Sequence, residues 1–153
     1  MFSQDFADHS RVWIYQSNRV LNGYEQEEIV SKGQEFIESW AAHGKSLFAD
    51  FKVLHDVFIV LVVDEQKAQA TGCSIDKSVD LIKAIDEQFG IDLFNRFNFA
   101  VRKDDQTIPG HLQNDSELLQ NNPKVYDNLI DNLGKMRKEW LKPVQDSWHK
   151  QFV

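Results

Sequence analysis

Disulfides are excluded by arithmetic: the chain has one cysteine, Cys73, so no intramolecular cross-link can staple it. The opening stretch MFSQDFADHS has neither the basic n-region nor the apolar h-region of a secretory leader. Both features fit a protein of the reducing cytoplasm, which is the expected location. Long apolar runs are missing too. The longest, VFIVLVV at 57–63, is far short of the ~20 residues that a bilayer-spanning helix needs, so no membrane role is expected. Positive charge is scarce and scattered: 17 Lys and Arg face 24 Asp and Glu, a formal net charge of −7. Nucleic-acid backbones are held by clustered cations that displace counterions, so nucleic acid is not an expected partner. Signature motifs are absent as well. His9, His43, His55, His111 and His149 show no HExxH pair or zinc-type Cys/His spacing, and there is no GxxxxGK[ST] or GxGxxG loop. Neither a metal nor a cofactor is expected.

What is present is a chain of 153 residues, the size of one domain, able to bury roughly two thirds of its unfolded surface. Val12, Trp13, Ile14 and Tyr15 are four consecutive strand formers and predict a buried strand. Ile29, Gly33, Phe36, Ile37, Trp40 and Ala41 recur at helical spacing over 25–42, with acidic residues in the first turn and Gly44 placed as a terminating C′ glycine. Residues 47–54 partly alternate and read as an edge strand; after His55 and Asp56 the unbroken 57–63 run reads as a strand covered on both faces, the two forming a hairpin. A second helix is predicted over 74–89, with Ile75, Val79, Ile82, Ile85 and Phe89 on its apolar stripe and Gly90 at its end. RFNFAVR then alternates as another edge strand.

The order β-α-β-β-α-β within 11–102 is that of a ferredoxin-like sandwich in the α+β class, whose first and third strands are central. An open α/β sheet with an antiparallel hairpin is the alternative. The helix-free sheet face needs cover, and residues 103–153 are available as a C-terminal extension packed on it, giving a single domain over 1–153. Within that extension SELLQ reads as a helical turn, and 124–130 as a strand followed by a helix capped at Asp131 and ended by Pro143. Val125, Leu129, Leu133, Met136 and Trp140 also fit one long helix.

The segment Gly72, Cys73, Ser74, Asp76 stands at the entrance of the second helix, where free N–H groups and the helix dipole favour an anion and lower a thiol pKa. Ser74 or Asp76 serves as N-cap in this reading; the plainer alternative makes Ser74 a cap alone and Cys73 a small buried hydrophobe. A ferredoxin-like order is read here as bringing both helix N-termini to one end of the domain. That gathers Gln16, Ser17, Asn18 and Arg19 around Gly72, Cys73, Ser74 and Asp76, with Arg19 for a carboxylate or phosphate. Trp13, Trp148 and Trp140 are candidates to stack a ring-shaped ligand, the plainer alternative being core or lid packing. Should Cys73 act as a nucleophile, His149 is the candidate base, since His43 lies at the far end of the first helix. Trp40 and His43, at i and i+3, read as a core tryptophan beside a C-terminal histidine.

VWIYQSNR, SWAAHG, GCSIDKSV with the following DLFNRF, and the ending from Pro143 through VQDSWHKQF resemble a small bacterial family of uncharacterised function and similar length, over nearly the whole chain. Its members often carry the label ABC transporter ATPase, although this sequence has no phosphate loop. The resemblance implies a shared fold, with Trp13, Gln16, Trp40, His43, Gly72, Cys73, Ser74, Asp76, Trp148 and His149 at the motif positions, and supplies no substrate. The expectation is therefore a cytosolic binding or accessory domain with a small-anion pocket at the second helix entrance. The alternatives are a Cys73-dependent enzyme and a homodimeric interaction module.

Overall fold

The computed structural model describes all residues from Met1 to Val153. Strand β1 (Arg11–Gln16) leads into helix α1 (Gly23–Ser39). Asn22 starts that helix with a capping box: its Oδ1 accepts from Glu25 N–H at 2.9 Å, and Glu25 Oε1 accepts from Asn22 N–H at 3.0 Å. The helix stops short of its predicted end because Trp40 turns to extended backbone, placing its indole in the core, where Nε1 donates to Ser74 O at 2.8 Å. Two short strands follow, β2 (Ala41–Ala42) and β3 (Lys45–Ser46), paired across His43 and Gly44, both at positive φ. Gly44 is thus the second residue of a tight hairpin turn and not a helix terminator, and His43 sits exposed in that turn instead of on a helix beside Trp40.

Strands β4 (Ala49–Leu54) and β5 (Phe58–Val63) form the predicted hairpin, with His55 and Asp56 at φ 54° and 61° in its turn. All of β5 is buried. Its alternate residues serve two cores: Ile59, Leu61 and Val63 meet Ile29, Trp40, Ile82 and Ile85 on the helical side, while Phe58, Val60 and Val62 meet Tyr126, Leu133, Met136 and Trp140 on the other. Helix α2 (Gly72–Phe89) begins two residues earlier than predicted, because the cap is Thr71, with Ser74 at the third helical position completing the box. Gly90, left-handed at φ 61°, ends it as predicted.

The chain is α+β, with antiparallel sheets. The first sheet has the order β1-β5-β4, all antiparallel. A ferredoxin-like sheet would add the next strand beside β1. Strand β6 (Asn98–Lys103) instead pairs with β7 (Gln106–His111) and β8 (Lys124–Tyr126), and β8 pairs with β9 (Leu141–Pro143), so β6 is an inner strand of a second sheet and not an edge. Two local causes are visible. Asp104 and Asp105 both adopt positive φ and return the chain at once as β7, whose Pro109 suits an edge. Where β6 passes β1, side chains replace the ladder: Gln16 Nε2 donates to Phe99 O at 2.7 Å, and Asn98 Nδ2 to Gln16 O at 3.3 Å.

Residues Ser116–Leu119 form a 3-10 turn. The strand expected over 124–130 covers only the three residues of β8, and helix α3 (Leu133–Glu139) is capped by Asn132, whose side chain accepts from Lys135 N–H, and not by Asp131. Pro143 lies in β9, past the end of that helix. No helix is long and apolar enough to cross a membrane.

Candidate functional site

The two long helices run in opposite directions. Arg19, just before α1, reaches the C-terminal end of α2, where Nη2 lies 3.3 Å from Phe89 O; Trp40, just after α1, bonds Ser74 O in the first turn of α2. The helix N-termini therefore lie at opposite ends, separated by the ~27 Å that an 18-residue helix spans. Arg19 does not join Gly72, Ser74 and Asp76. Its fork is already engaged by both oxygens of Glu25, and these bonds, followed by the Asn22 N–H, hold the Glu25 carboxyl at about 2.

At the α2 entrance Ser74 is buried and its hydroxyl serves the capping box, while Gly72, Cys73 and Asp76 are exposed. Cys73 is thus not a packed hydrophobe. Nor does it meet His149, which is 1% exposed, stacked on Trp148 at 3.8 Å and within 3.2 Å of Ser147 Oγ. Burial pushes the His149 pKa down to about 4 and leaves a neutral ring inside the packing of the second sheet near Phe99. A thiol in water and an imidazole sealed in a core form no dyad.

The remaining sequence candidates are structural as well. Gln16 is 4% exposed and both ends of its amide are engaged, Nε2 by Phe99 O and Oε1 by Asn128 Nδ2 at 2.8 Å. It clamps β1 to β6 and to the segment before α3. Ser17 is buried, and its hydroxyl donates to Arg19 O at 2.7 Å in a local turn. Asn18 is exposed, with its N–H donated to Ile91 O. Trp13 packs edge-on against Trp40 with the Arg11 guanidinium 4.7 Å from its ring, and Trp148 covers His149.

A different cluster has the geometry of a site. Among the arginines, Arg19 and Arg137 hold carboxylates at hydrogen-bond distance, Arg11 lies 3.7 Å from Glu65, and Arg96 has no carboxylate within 4 Å but is exposed and lines none of the main depressions. Arg102 has only Asp105 at 4.0 Å, on a side chain fully open to water. It sits at the end of β6 in a polar frame: Nη1 donates to Tyr126 Oη at 3.2 Å, and that hydroxyl pairs with Thr107 Oγ1 at 2.8 Å. Beside it the His55 ring packs 5.4 Å from Tyr126 and 5.5 Å from Trp140. Burial, then the Arg102 charge, pushes the His55 pKa down, so it faces the site as neutral imidazole.

His55 and Arg102 form the common wall of two depressions. One, about 420 Å³, also has Asp56, Asp105 and Thr107 in its lining. The other, about 220 Å³, adds Arg137, Lys138, Trp140 and Leu141 and contains no carboxylate in its lining. Its surplus of fixed positive charge stands out in a chain of net charge −7. Nothing local in the sequence marks this cluster. Arg102 reads there as the end of an edge strand, and only the turn at 55–56 and the β6–β8 pairing, with residue 102 opposite 124, bring it to His55 and Tyr126. No family model, no curated protein and no solved structure matches the chain.

Proposed function

We propose that the chain is a cytoplasmic binding domain for a small carboxylate or phosphate, with Arg102 as the anion receptor. The observation that carries this reading is Arg102 itself: a guanidinium in a concave site, framed by two hydroxyls and a neutral histidine, with no carboxylate within hydrogen-bond distance. Its planar fork suits two oxygens of one anion. Lys138 adds charge at the rim, and Leu141 and Trp140 offer the apolar floor common to small-molecule sites. We read the β1-α1-β4-β5-α2 unit as the ferredoxin-like part of the domain, on the strength of its β1-β5-β4 order with both helices on one face; the second sheet presents Arg102. ATP hydrolysis has no part in this reading, since the sequence offers no loop to cradle a triphosphate.

Phenyl phosphate and inorganic phosphate are suitable probes, followed by amide NMR at low salt. Shifts are expected at residues 55, 102, 107 and 126, and Arg102→Gln should weaken phenyl phosphate about tenfold or more. Shifts confined to the amides of 72–76, with Arg102→Gln binding as the parent does, would return the site to the α2 entrance and overturn the proposal.

A further inference from the structure

One wall of the proposed anion site is shared with the segment 1–10, and any role of that segment in binding rests on Arg102 being the anion receptor. The segment has no regular secondary structure and lies as a strap across the second core. Phe2 and Phe6 are 5% and 6% exposed, and the Phe6 ring lies 4.6 Å from that of Phe48. Asp8 O accepts from Gly134 N–H at 2.7 Å and Ser10 O from Leu133 N–H at 2.8 Å. The crossing is close: a Cβ on Gly134 would lie 3.0 Å from Asp8 Cβ and 3.1 Å from Asp8 O, so a larger residue there would push the strap by a few tenths of an ångström.

The side chains of the strap are what bear on the site. Arg137 Nη1 donates to Asp8 Oδ1 at 2.8 Å and Nη2 to Ser3 O at 3.0 Å. The same Arg137 lines the depression that holds Arg102 and Lys138. Arg137 is 18% exposed and sits in the wall, whereas Asp8 is 62% exposed, with Arg137 as its ion-pair partner. An anion entering against Arg102 thus finds Arg137 already neutralised.

We propose that the 1–10 strap is an autoinhibitory element in which the Asp8 carboxylate competes with the ligand's anion for Arg137. The competition is reciprocal. By linkage, the factor by which Asp8 weakens the anion is the factor by which the anion weakens the Asp8–Arg137 contact. Phe2 and Phe6 keep the strap tethered by their side chains, so ligand binding loosens the Arg137 contacts at Ser3 and Asp8 without detaching it.

Asp8→Asn is the test. The replacement is isosteric and leaves the main-chain bond from Gly134 intact. With phenyl phosphate as probe at low salt, Asp8→Asn should bind about two- to fivefold tighter than the parent, the range of an exposed ion pair, and the gain should shrink at high salt. In the parent, saturating phenyl phosphate should raise amide hydrogen exchange at residues 3–8, and in Arg102→Gln it should not. If Arg102→Gln abolishes binding while Asp8→Asn binds like the parent and exchange at 3–8 is unmoved, the strap inference fails and the Arg102 site stands. If Arg102→Gln binds like the parent, the site reading fails and the strap inference falls with it.

Discussion

Replacing Glu25 by Gln isolates the interaction that removes Arg19 from any ligand site. The Glu25 side chain is 9% exposed, takes both arms of Arg19, and closes the α1 capping box through Asn22 N–H. Its carboxyl is held at about 2 against a reference of 4.5, first by the Arg19 bonds and then by the Asn22 bond. A carboxyl lowered from 4.5 to about 2 corresponds to a ceiling of ~3.4 kcal/mol. Arg19 is 45% exposed, so water screens much of the charge term, and about 1–2 kcal/mol is the expected loss. Gln keeps the capping geometry and loses only the charge. The sign follows from the lowered folded-state pKa: the contribution is present above about pH 4.5 and is lost as pH falls toward about 2. Urea unfolding of parent and Glu25→Gln should give a gap of about 1–2 kcal/mol at neutral pH, with equal m-values, that closes in acid. A gap below about 0.3 kcal/mol, the floor for exposed ion pairs, or one independent of pH, would refute the assignment of Arg19 to Glu25.

Three further outcomes are expected. Gly33→Ala should lower the melting temperature, because the new Cβ would lie 2.0 Å from a ring atom of the fully buried Phe51; overpacking of about 1–3 kcal/mol exceeds the ~1 kcal/mol of added helix propensity, and an unchanged or higher melting temperature would contradict the close approach. Gln16→Leu should lose about 1–3 kcal/mol in urea unfolding, since Phe99 O and the Asn128 amide lose their partner in a buried setting; parental stability would show that the clamp is dispensable. Cys73 should react fully with Ellman's reagent in the folded protein, and labelling that requires denaturant would disprove its exposed position.

The elements read in the sequence are largely those that local chemistry dictates. The unbroken apolar character of β5 could only be a strand covered on both faces, and each face found its own core. Gly90 and the His55–Asp56 turn obey local rules for positive φ and lie where expected. Errors arose where a local signal had two uses. Gly44 fits a helix end and a two-residue hairpin turn equally well, and the demand to bury Trp40 against Ser74 decided for the hairpin. Thr71, Ser74 and Asp76 all suit a cap, and the reciprocal box between Thr71 and Ser74 settles it on the first. The pairing of Asp104 with Asp105 carried a usable sign of the β6–β7 turn, since Asp tolerates the left-handed region, but the destination of β6 depended on the distant segments at 124 and 141.

The candidate site was lost for a related reason. A cluster of motif residues near one helix entrance is informative only if the fold brings its members together, and opposed helices carry Arg19 and Cys73 to opposite ends of α2. Cation count is equally uninformative on its own. What separates Arg102 from Arg19 and Arg137 is whether a carboxylate has already claimed the guanidinium, a property of tertiary neighbours. Glu25 claims Arg19 from six residues away with a carboxylate that also accepts from Asn22 N–H, so a ligand at Arg19 would have to displace a carboxylate anchored in the α1 cap. Asp8 claims Arg137 from an exposed position on a strap that holds no helix or strand, so that contact can yield without unfolding an element. Arg102 has only Asp105, 4.0 Å away on a side chain fully open to water, and it is there that a ligand anion meets the least neutralised charge in the site.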